Sequence, residues 1–334
     1  MLSHKLDDYW LNLRLKTTEV PGSHLLINDG VSSLPTIEEA LELYLSIKGA
    51  GRQKLFFTTA QRYIGYMIEC LGVRPLDQYS SRDATLLREW LLEKGLSHSS
   101  LQRVFSSIKA VINFSILEQG LECQNAFAKV YLPAHTDVKK RHAITPENMN
   151  NIKQACLSLD DDIRWLIALI FDTGMRLSEA AGLILEDIHL DEDVPYIDLK
   201  PHLHRRLKTA SSKRIIPLTG LSLWAAKRLV CANPGLYCFP RYTKENRCHS
   251  NSASAAINKW LKTVAGPNDV IHGLRHSFRD RLRAIEAPLD MIDQLGGWSL
   301  KTVGQTYGDG YNLKTMSKYL QRMSGAPREL TKTC

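Results

Sequence analysis

Residues 162–179 have the sequence DIRWLIALIFDTGMRLSE, in which an almost wholly apolar run leads through glycine to arginine. An apolar run without a polar face predicts a helix buried in the core, and Gly174 allows a tight turn after it. Arg176 would then project from a rigid platform. Because a guanidinium keeps its charge at ordinary pH, placing it there requires a partner anion. That anion is either Glu179 on the next turn or a bound phosphate.

Two further motifs in the C-terminal part of the chain carry reactive side chains. In His272-Gly-Leu-Arg275 the spacing of three puts imidazole and guanidinium on one helix face, where one can move a proton and the other can hold a phosphate oxygen. Trp298 ends the short motif LGGW, and Tyr307 follows it. A phenol has a pKa near 10, so it needs neighbouring cations and a base to act as a nucleophile. Taken singly, each residue also fits an ordinary structural role.

A cationic connection lies between two β-prone segments, residues 195–199 and 214–218. We predict that the two segments form the two edges of a small sheet. The residues between them include PHLHRRLKTASSKR, which holds no acidic residue. Lys208 near the tip of this hairpin could swing into a cleft and protonate a leaving oxygen, although most lysines at such positions are only solvated.

The pattern of apolar residues, prolines and charges divides the chain into four segments. The first is predicted to be a leader that is partly disordered, the second an all-helical domain, the third a basic linker, and the fourth a domain that mixes helices with strands. Their bounds are 1–34, 35–131, 132–143 and 144–334.

Composition narrows the class of protein. The chain has 43 Lys and Arg against 35 Asp and Glu, a formal charge of +8, which suits a polyanionic partner. No apolar run approaches the roughly 18–20 residues that a membrane helix needs, and acidic residues stand where a signal peptide would be apolar. A cytoplasmic protein is expected. Cys238, Cys248 and His249 could be imagined as zinc ligands, but their spacing favours ordinary thiols.

The motifs TGxRxxE, KT…PL, HxxR and LGGW-x8-Y occur in this order, and in this the chain resembles the tyrosine recombinases, or phage integrases, over about residues 143–323. The resemblance implies a mainly α fold with a small β-sheet. It further implies an N-terminal helical core-binding domain followed by an α+β catalytic domain. The last helix, about 313–323, corresponds to one that often docks on a neighbouring protomer in this family.

The resemblance also implies a role for each of six catalytic positions. Arg176 and Arg275 would hold the scissile phosphate, and Tyr307 would attack it. Three other residues would assist: Lys208 as general acid, with Lys213 as a nearby rival, His272 as proton acceptor or phosphate ligand, and Trp298 in a place more often held by histidine. An indole can only donate a hydrogen bond, so Trp298 could not transfer a proton.

The implied reaction is the cutting and rejoining of DNA strands through a 3′-phosphotyrosine intermediate. The partner would be a double-stranded recombination site, bound by a homodimer or tetramer with accessory bending or directionality factors, in a bacterial or phage-encoded system near the nucleoid. Because the covalent intermediate conserves the bond energy, neither a cofactor nor a metal is expected. Predicted DNA contacts are Lys139, Lys140, Arg141, Arg205, Arg206 and Lys213.

Two rival functions fit the same motifs. A type IB topoisomerase uses the same chemistry to relax DNA without exchanging strands. A non-catalytic architectural protein could keep the fold for DNA binding alone.

Overall fold

The structure is a computed structural model that describes residues 34–132, 143–232, 235–244, 246–298 and 310–325. The chain divides into two compact units, Met1–Val138 and Lys139–Cys334. Most of the predicted leader and most of the predicted linker lie outside the described residues.

The first unit is helical in its described part. Its four α-helices are α1 Ile37–Lys48, α2 Lys54–Leu71, α3 Ser81–Glu93 and α4 His98–Gln119. Thr36 caps α1 through a reciprocal pair with Glu39: Thr36 N–H donates to Glu39 Oε2 at 2.7 Å, and Glu39 N–H donates to Thr36 Oγ1 at 3.3 Å. Ser97 caps α4 in the same unit.

Apolar side chains at helical spacing form the core of this unit. On α4 one stripe faces inward because its members recur every three or four residues. The fully or almost fully buried members of this stripe are Leu101, Val104, Phe105, Ile108, Val111 and Ile112.

The second unit combines helices with two small sheets. Its helices are α5 Pro146–Leu159, α6 Asp162–Thr173, α7 Leu177–Ala181, α8 Gly220–Ala232, α9 Ser250–Val264, α10 Ile271–Ala284, α11 Leu289–Gly296 and α12 Leu313–Ser324. Its strands are β1 Ile188–His189, β2 Tyr196–Leu199, β3 Arg214–Pro217, β4 Thr243–Lys244 and β5 Arg247–Cys248.

The larger sheet has the order β1-β2-β3 and is antiparallel throughout, with Ile197 opposite both Ile188 and Ile216. The prediction that the 195–199 segment forms an edge is therefore wrong, since β2 is the central strand. The sequence did not reveal β1, because a strand of two residues is too short to show a period.

Helix α6 is the buried helix predicted from the apolar run in residues 162–179, and every residue from Leu166 to Thr173 is buried. It packs against α5, α8 and α10. Gly174 ends it with φ of 62°, and a Cβ there would stand 2.3 Å from Cδ1 of Phe278 on α10. Glycine at this position therefore provides both the left-handed turn and the close approach of α10 to the end of α6.

Replacing Gly174 by alanine is expected to destabilise the second unit by about 2–4 kcal/mol, the sum of left-handed backbone strain and overpacking against Phe278. Gly325→Ala is the matched control: Gly325 has a similar φ of 60°, but an added Cβ would have no atom of the described residues within 4 Å. Urea unfolding compares the two. Equal losses of stability would contradict the role given to Phe278.

Helix α12 packs within its own unit. Met316 and Leu320 are buried in a cluster with side chains of α10 and α11, including Phe278 and Leu295. That this helix docks on a neighbouring protomer stays a prediction; within the single chain its apolar face packs on α10 and α11. None of the helices in the described ranges combines the length and apolar character needed to cross a membrane.

Candidate active site

Arg176 stands at the N-cap of α7, directly after the turn that ends α6. Its Nη1 donates to Glu179 Oε1 at 2.6 Å and to Ser212 Oγ at 2.9 Å. Its backbone N–H donates to the other carboxylate oxygen of Glu179 at 3.0 Å. The side chain remains 20% exposed. The two interpretations of Arg176 are therefore compatible, because the Glu179 pair fixes the guanidinium while part of it faces solvent.

Glu179 is only 2% exposed and serves two arginines. Burial by itself would raise the pKa of Glu179, but the charge of Arg214 and the hydrogen bonds from Arg176 lower the pKa below its ordinary value. Arg214 Nη2 donates to Glu179 Oε2 at 3.2 Å. Glu179 therefore stays ionised and prevents the two guanidinium groups from separating.

Replacing Glu179 by glutamine is expected to cost about 3–5 kcal/mol at neutral pH, the range for removing one partner of a buried ion pair. Because the folded-state pKa of Glu179 is depressed, its ionisation stabilises the fold above the unfolded-state pKa and ceases to do so as pH falls through the folded-state pKa. The stability gap between wild type and Glu179→Gln should thus be full near pH 7 and shrink in acid. A gap that stays constant from pH 7 to pH 3 would contradict this.

Arg275 lies on α10 and is 4% exposed. It donates to Gly174 O and, at 2.6 Å, to Gly296 O. Burial, together with the positive charges of Arg176 and Arg214, lowers the pKa of Arg275 to about 9. Arg275 is therefore charged at neutral pH but destabilised by its neighbours. An anion bound beside it would relieve that repulsion.

The C-terminus of α11 gathers the three arginines. Arg214 Nε donates to Leu295 O at 2.7 Å, Arg275 to Gly296 O, and Arg176 Nη2 to Gly297 O at 3.5 Å. The last carbonyls of a helix have no partner within the helix and carry the negative end of its dipole. They therefore hold three cations close together.

Both glycines of the LGGW motif are required by this packing. Gly297 has φ of 61°, and a Cβ there would stand 2.7 Å from Arg214 Nη1. A Cβ on Gly296 would stand 1.7 Å from Cζ3 of Trp298. The indole of Trp298 stacks on two guanidinium groups, with its ring centroid 4.3 Å from Cζ of Arg275 and 4.6 Å from Cζ of Arg279. Trp298 thus belongs to the arginine cluster.

His272 lies in the first turn of α10 and is exposed, with its ring 5.1 Å from that of His276. Lys208 is exposed in the connection between β2 and β3, just before the 3₁₀ turn Ala210–Ser212. That turn brings Ser212 Oγ to Arg176, so the hairpin and the first arginine are directly linked. Lys213 is exposed on the other side of the turn.

Tyr307 lies outside the described residues, but the segments that flank it do not. Trp298 precedes the undescribed stretch and Gly310 follows it. The side chain of Gln294, on α11, accepts from Tyr311 N–H at 2.9 Å and donates to Tyr311 O at 3.0 Å. Both flanks are therefore attached to the helix that holds the arginines.

Residues 142–312 match the model of the phage integrase family. The chain belongs to the phage integrase family.

Curated relatives of this integrase-family chain are named as tyrosine recombinases. XerC of Shewanella amazonensis is 26% identical over 250 residues, covering 71% of this chain and 79% of the relative. XerA of Pyrococcus horikoshii is 23% identical over 278 residues, covering 81% and 88%. The chain is therefore similar to recombinases over most of its length.

Solved integrases have the same fold. The integrase of transposon Tn1549, in complex with transposon right end DNA, aligns with a TM-score of 0.61 at 18% identity over 86% of this chain and 99% of that one. A lambda integrase tetramer bound to a Holliday junction aligns with a TM-score of 0.59 at 15% identity, over 83% and 78%. The mainly α fold with a small β-sheet is thus confirmed.

Sequence reasoning missed three residues of the integrase site: Arg214, Ser212 and Gln294. In the sequence Arg214 is the last residue of a basic stretch, but it also stands directly before the apolar residues of a strand. An arginine that begins a buried strand is a signal that could have identified it, since burying a charge requires specific partners.

The predicted DNA contacts divide into three groups. Arg206 and Lys213 are exposed on the hairpin, whereas Lys139, Lys140 and Arg141 lie outside the described residues. The prediction for Arg205 is corrected by its burial. Its exposed fraction is 3%, and it donates to Glu179 O at 2.7 Å and to Lys200 O. Arg205 is therefore occupied in holding the hairpin to α7, and is not placed to contact DNA.

No zinc site is supported. Cys238 is buried and Cys248 half-buried as free thiols. Among the residues that the structure describes, no group of three or more histidine, cysteine, aspartate or glutamate side chains could hold a metal ion.

Proposed function

We propose that this protein is a site-specific DNA recombinase that cuts and rejoins strands through a 3′-phosphotyrosine on Tyr307. The observation that carries the proposal is the convergence of Arg176 and Arg275 on the end of α11, from which the chain continues to Tyr307. Fixed guanidinium groups in a partly dry site stabilise the charge of a phosphoryl transition state without reorganising.

In the proposed reaction the Tyr307 oxygen attacks the scissile phosphorus and the bond to the 5′-oxygen breaks. The phenolic proton passes to His272, and the leaving 5′-oxygen takes a proton from Lys208. The incoming 5′-hydroxyl of a second strand then reverses each transfer: it returns a proton to Lys208, and His272 reprotonates Tyr307. One phosphodiester replaces another, so the energy of the bond is conserved. Lys213 is the alternative to Lys208 as the general acid.

DNA binding is proposed to involve Arg206 and Lys213 on the hairpin, the basic residues Lys139, Lys140 and Arg141, and the helices of the first unit. Because these contacts displace counterions from phosphates, affinity should fall steeply with salt. A homodimer or tetramer on DNA is proposed because lambda integrase, which is similar in fold, is a dimer on a core site and a tetramer on a Holliday junction. The last helix, α12, is the segment proposed to dock on a neighbouring protomer. Accessory bending or directionality factors, and action in a bacterial or phage-infected cytoplasm, belong to the same proposal.

Recombination is favoured over the two rivals. An architectural protein would have no need of a buried carboxylate such as Glu179 that orders Arg176. A topoisomerase would share the chemistry, but the named relatives are recombinases.

The test uses nicked suicide duplexes built from DNA that flanks the gene. Cleavage of such a duplex releases a short strand, and religation is prevented because that strand diffuses away. We expect a covalent protein–DNA adduct that resists denaturation, and joining of the held strand to a second duplex with a free 5′-hydroxyl. A protein that forms the adduct and relaxes a supercoiled plasmid, but never joins the held strand to a second duplex, would favour the topoisomerase. Tight binding of these duplexes without an adduct would favour the architectural protein.

A further inference from the structure

Arg214 is a buried cation to which none of the catalytic steps above assigns a role. It begins β3, and its side chain is 4% exposed. Its three kinds of donor nitrogen point to three different acceptors: Nε to Leu295 O at 2.7 Å, Nη1 to Ser212 O at 2.8 Å and Nη2 to Glu179 Oε2 at 3.2 Å. Each nitrogen of the guanidinium therefore donates to the protein, and the side chain is too buried to contact DNA itself.

Each acceptor belongs to a different part of the candidate site. Leu295 O is at the C-terminus of α11, beside the carbonyls that hold Arg176 and Arg275. Ser212 is on the turn that follows Lys208, and Glu179 is the carboxylate that orders Arg176. Arg214 is thus a direct link between the α11 end, the hairpin and α7.

Arg176 is the phosphate-binding candidate that depends most directly on this link. Nη1 of Arg176 donates to two residues, Glu179 and Ser212, and both of these also accept from Arg214. Without Arg214, Glu179 would lose one of its two cations and the Ser212 turn would lose its attachment to α11. Arg176 would keep its charge but lose its fixed orientation.

We propose that Arg214 is a positioning residue for strand cleavage, which acts by fixing the orientation of Arg176 toward the scissile phosphate; this rests on the proposed function. Lysine cannot substitute for it. An ammonium is a single point donor, whereas these three acceptors lie in separate directions that only the planar fork of a guanidinium reaches at once.

The test is a double-mutant cycle on single-turnover cleavage of a suicide duplex at saturating DNA, with Arg214→Lys, Arg176→Ala and the double variant. Arg214→Lys should lower the cleavage rate about 10- to 100-fold in the wild-type background, the range seen when a residue that orients a binding side chain is removed. In the Arg176→Ala background the same change should lower it less than about threefold, because the residue through which it acts is gone. The dissociation constant for DNA should change less than about threefold.

A merely structural role would give the same loss in both backgrounds and would overturn the proposal, as would an unchanged rate in Arg214→Lys. Melting temperature and DNA affinity are measured for every variant. If Arg214→Lys is unfolded at the assay temperature, Arg214→Gln takes its place in the cycle. Absence of any adduct with the wild-type protein would instead refute the proposed function, so the two failures are distinguishable.

Discussion

Replacing Tyr307 by phenylalanine is expected to abolish the covalent adduct with a suicide duplex while leaving DNA affinity within about threefold. The change removes one oxygen, the atom that becomes bonded to phosphorus, and alters nothing else in size. No neighbouring hydroxyl can substitute without moving the whole reacting geometry, because nucleophile and phosphorus must approach within about 3–3.5 Å. Denaturing gel electrophoresis of the protein after incubation with labelled duplex measures the adduct.

Tyr311→Phe is the matched control for this substitution. Tyr311 lies four residues further along, and its hydroxyl donates to Asp290 Oδ1 at 3.1 Å. Burial, the hydrogen bond to Asp290 and its charge raise the pKa of Tyr311 above the ordinary value, which makes it a poor source of phenolate. Tyr311→Phe should retain the adduct. Loss of the adduct in Tyr311→Phe, with retention in Tyr307→Phe, would exchange the two assignments.

Arg176→Ala is expected to lower the cleavage rate at saturating DNA by about 10²–10³-fold, the typical cost of removing one preorganised donor from a transition state. The fold should survive, because Glu179 keeps its contact with Arg214 and the arginine is one-fifth exposed at the surface. Single-turnover quenched-flow measurement gives the rate. A methylphosphonate at the scissile position lacks the negative charge that Arg176 would neutralise, so the difference between variant and wild type should shrink on that substrate.

Arg206→Ala provides the matched control on the hairpin. Arg206 is exposed, and in the proposed function it contacts a DNA phosphate outside the reaction centre. Its loss should weaken binding and reduce the salt dependence of affinity by about one counterion, while the rate at saturating DNA stays within a fewfold of wild type. Equal losses of rate in Arg176→Ala and Arg206→Ala would contradict the distinction between catalysis and binding.

The helices could be predicted from the sequence because their physical causes are local. The helical spacing of the apolar residues in α4 and the capping residue Ser97 are both visible in the sequence, and α4 begins and ends where they indicate. The almost wholly apolar α6 and the glycine that ends it could be predicted in the same way. The pairing of β2 with β1 could not be predicted from the sequence, because β1 has only two residues and is joined to β2 by a turn.

The site was predictable in its residue types but not in its supports. Arg176 and Arg275 stand out in the sequence because charge beside apolar residues needs compensation. What holds them together, the carbonyls at the end of α11, is backbone, and backbone acceptors leave no trace in side-chain patterns. Arg205 shows the opposite error. It lies in a basic stretch beside the exposed Arg206, yet its side chain turns inward to Glu179 O and Lys200 O.

The most direct measurement is identification of the residue that becomes attached to DNA. A suicide-duplex adduct is digested with nuclease and trypsin, and the phosphorylated peptide is fragmented in a mass spectrometer. Cleavage after Lys301 and Lys314 yields TVGQTYGDGYNLK, which contains both Tyr307 and Tyr311. We expect the nucleotide phosphate on Tyr307. Attachment at Tyr311 or at another residue would contradict the assignment of Tyr307 as the nucleophile, and so would a complex that is only non-covalent.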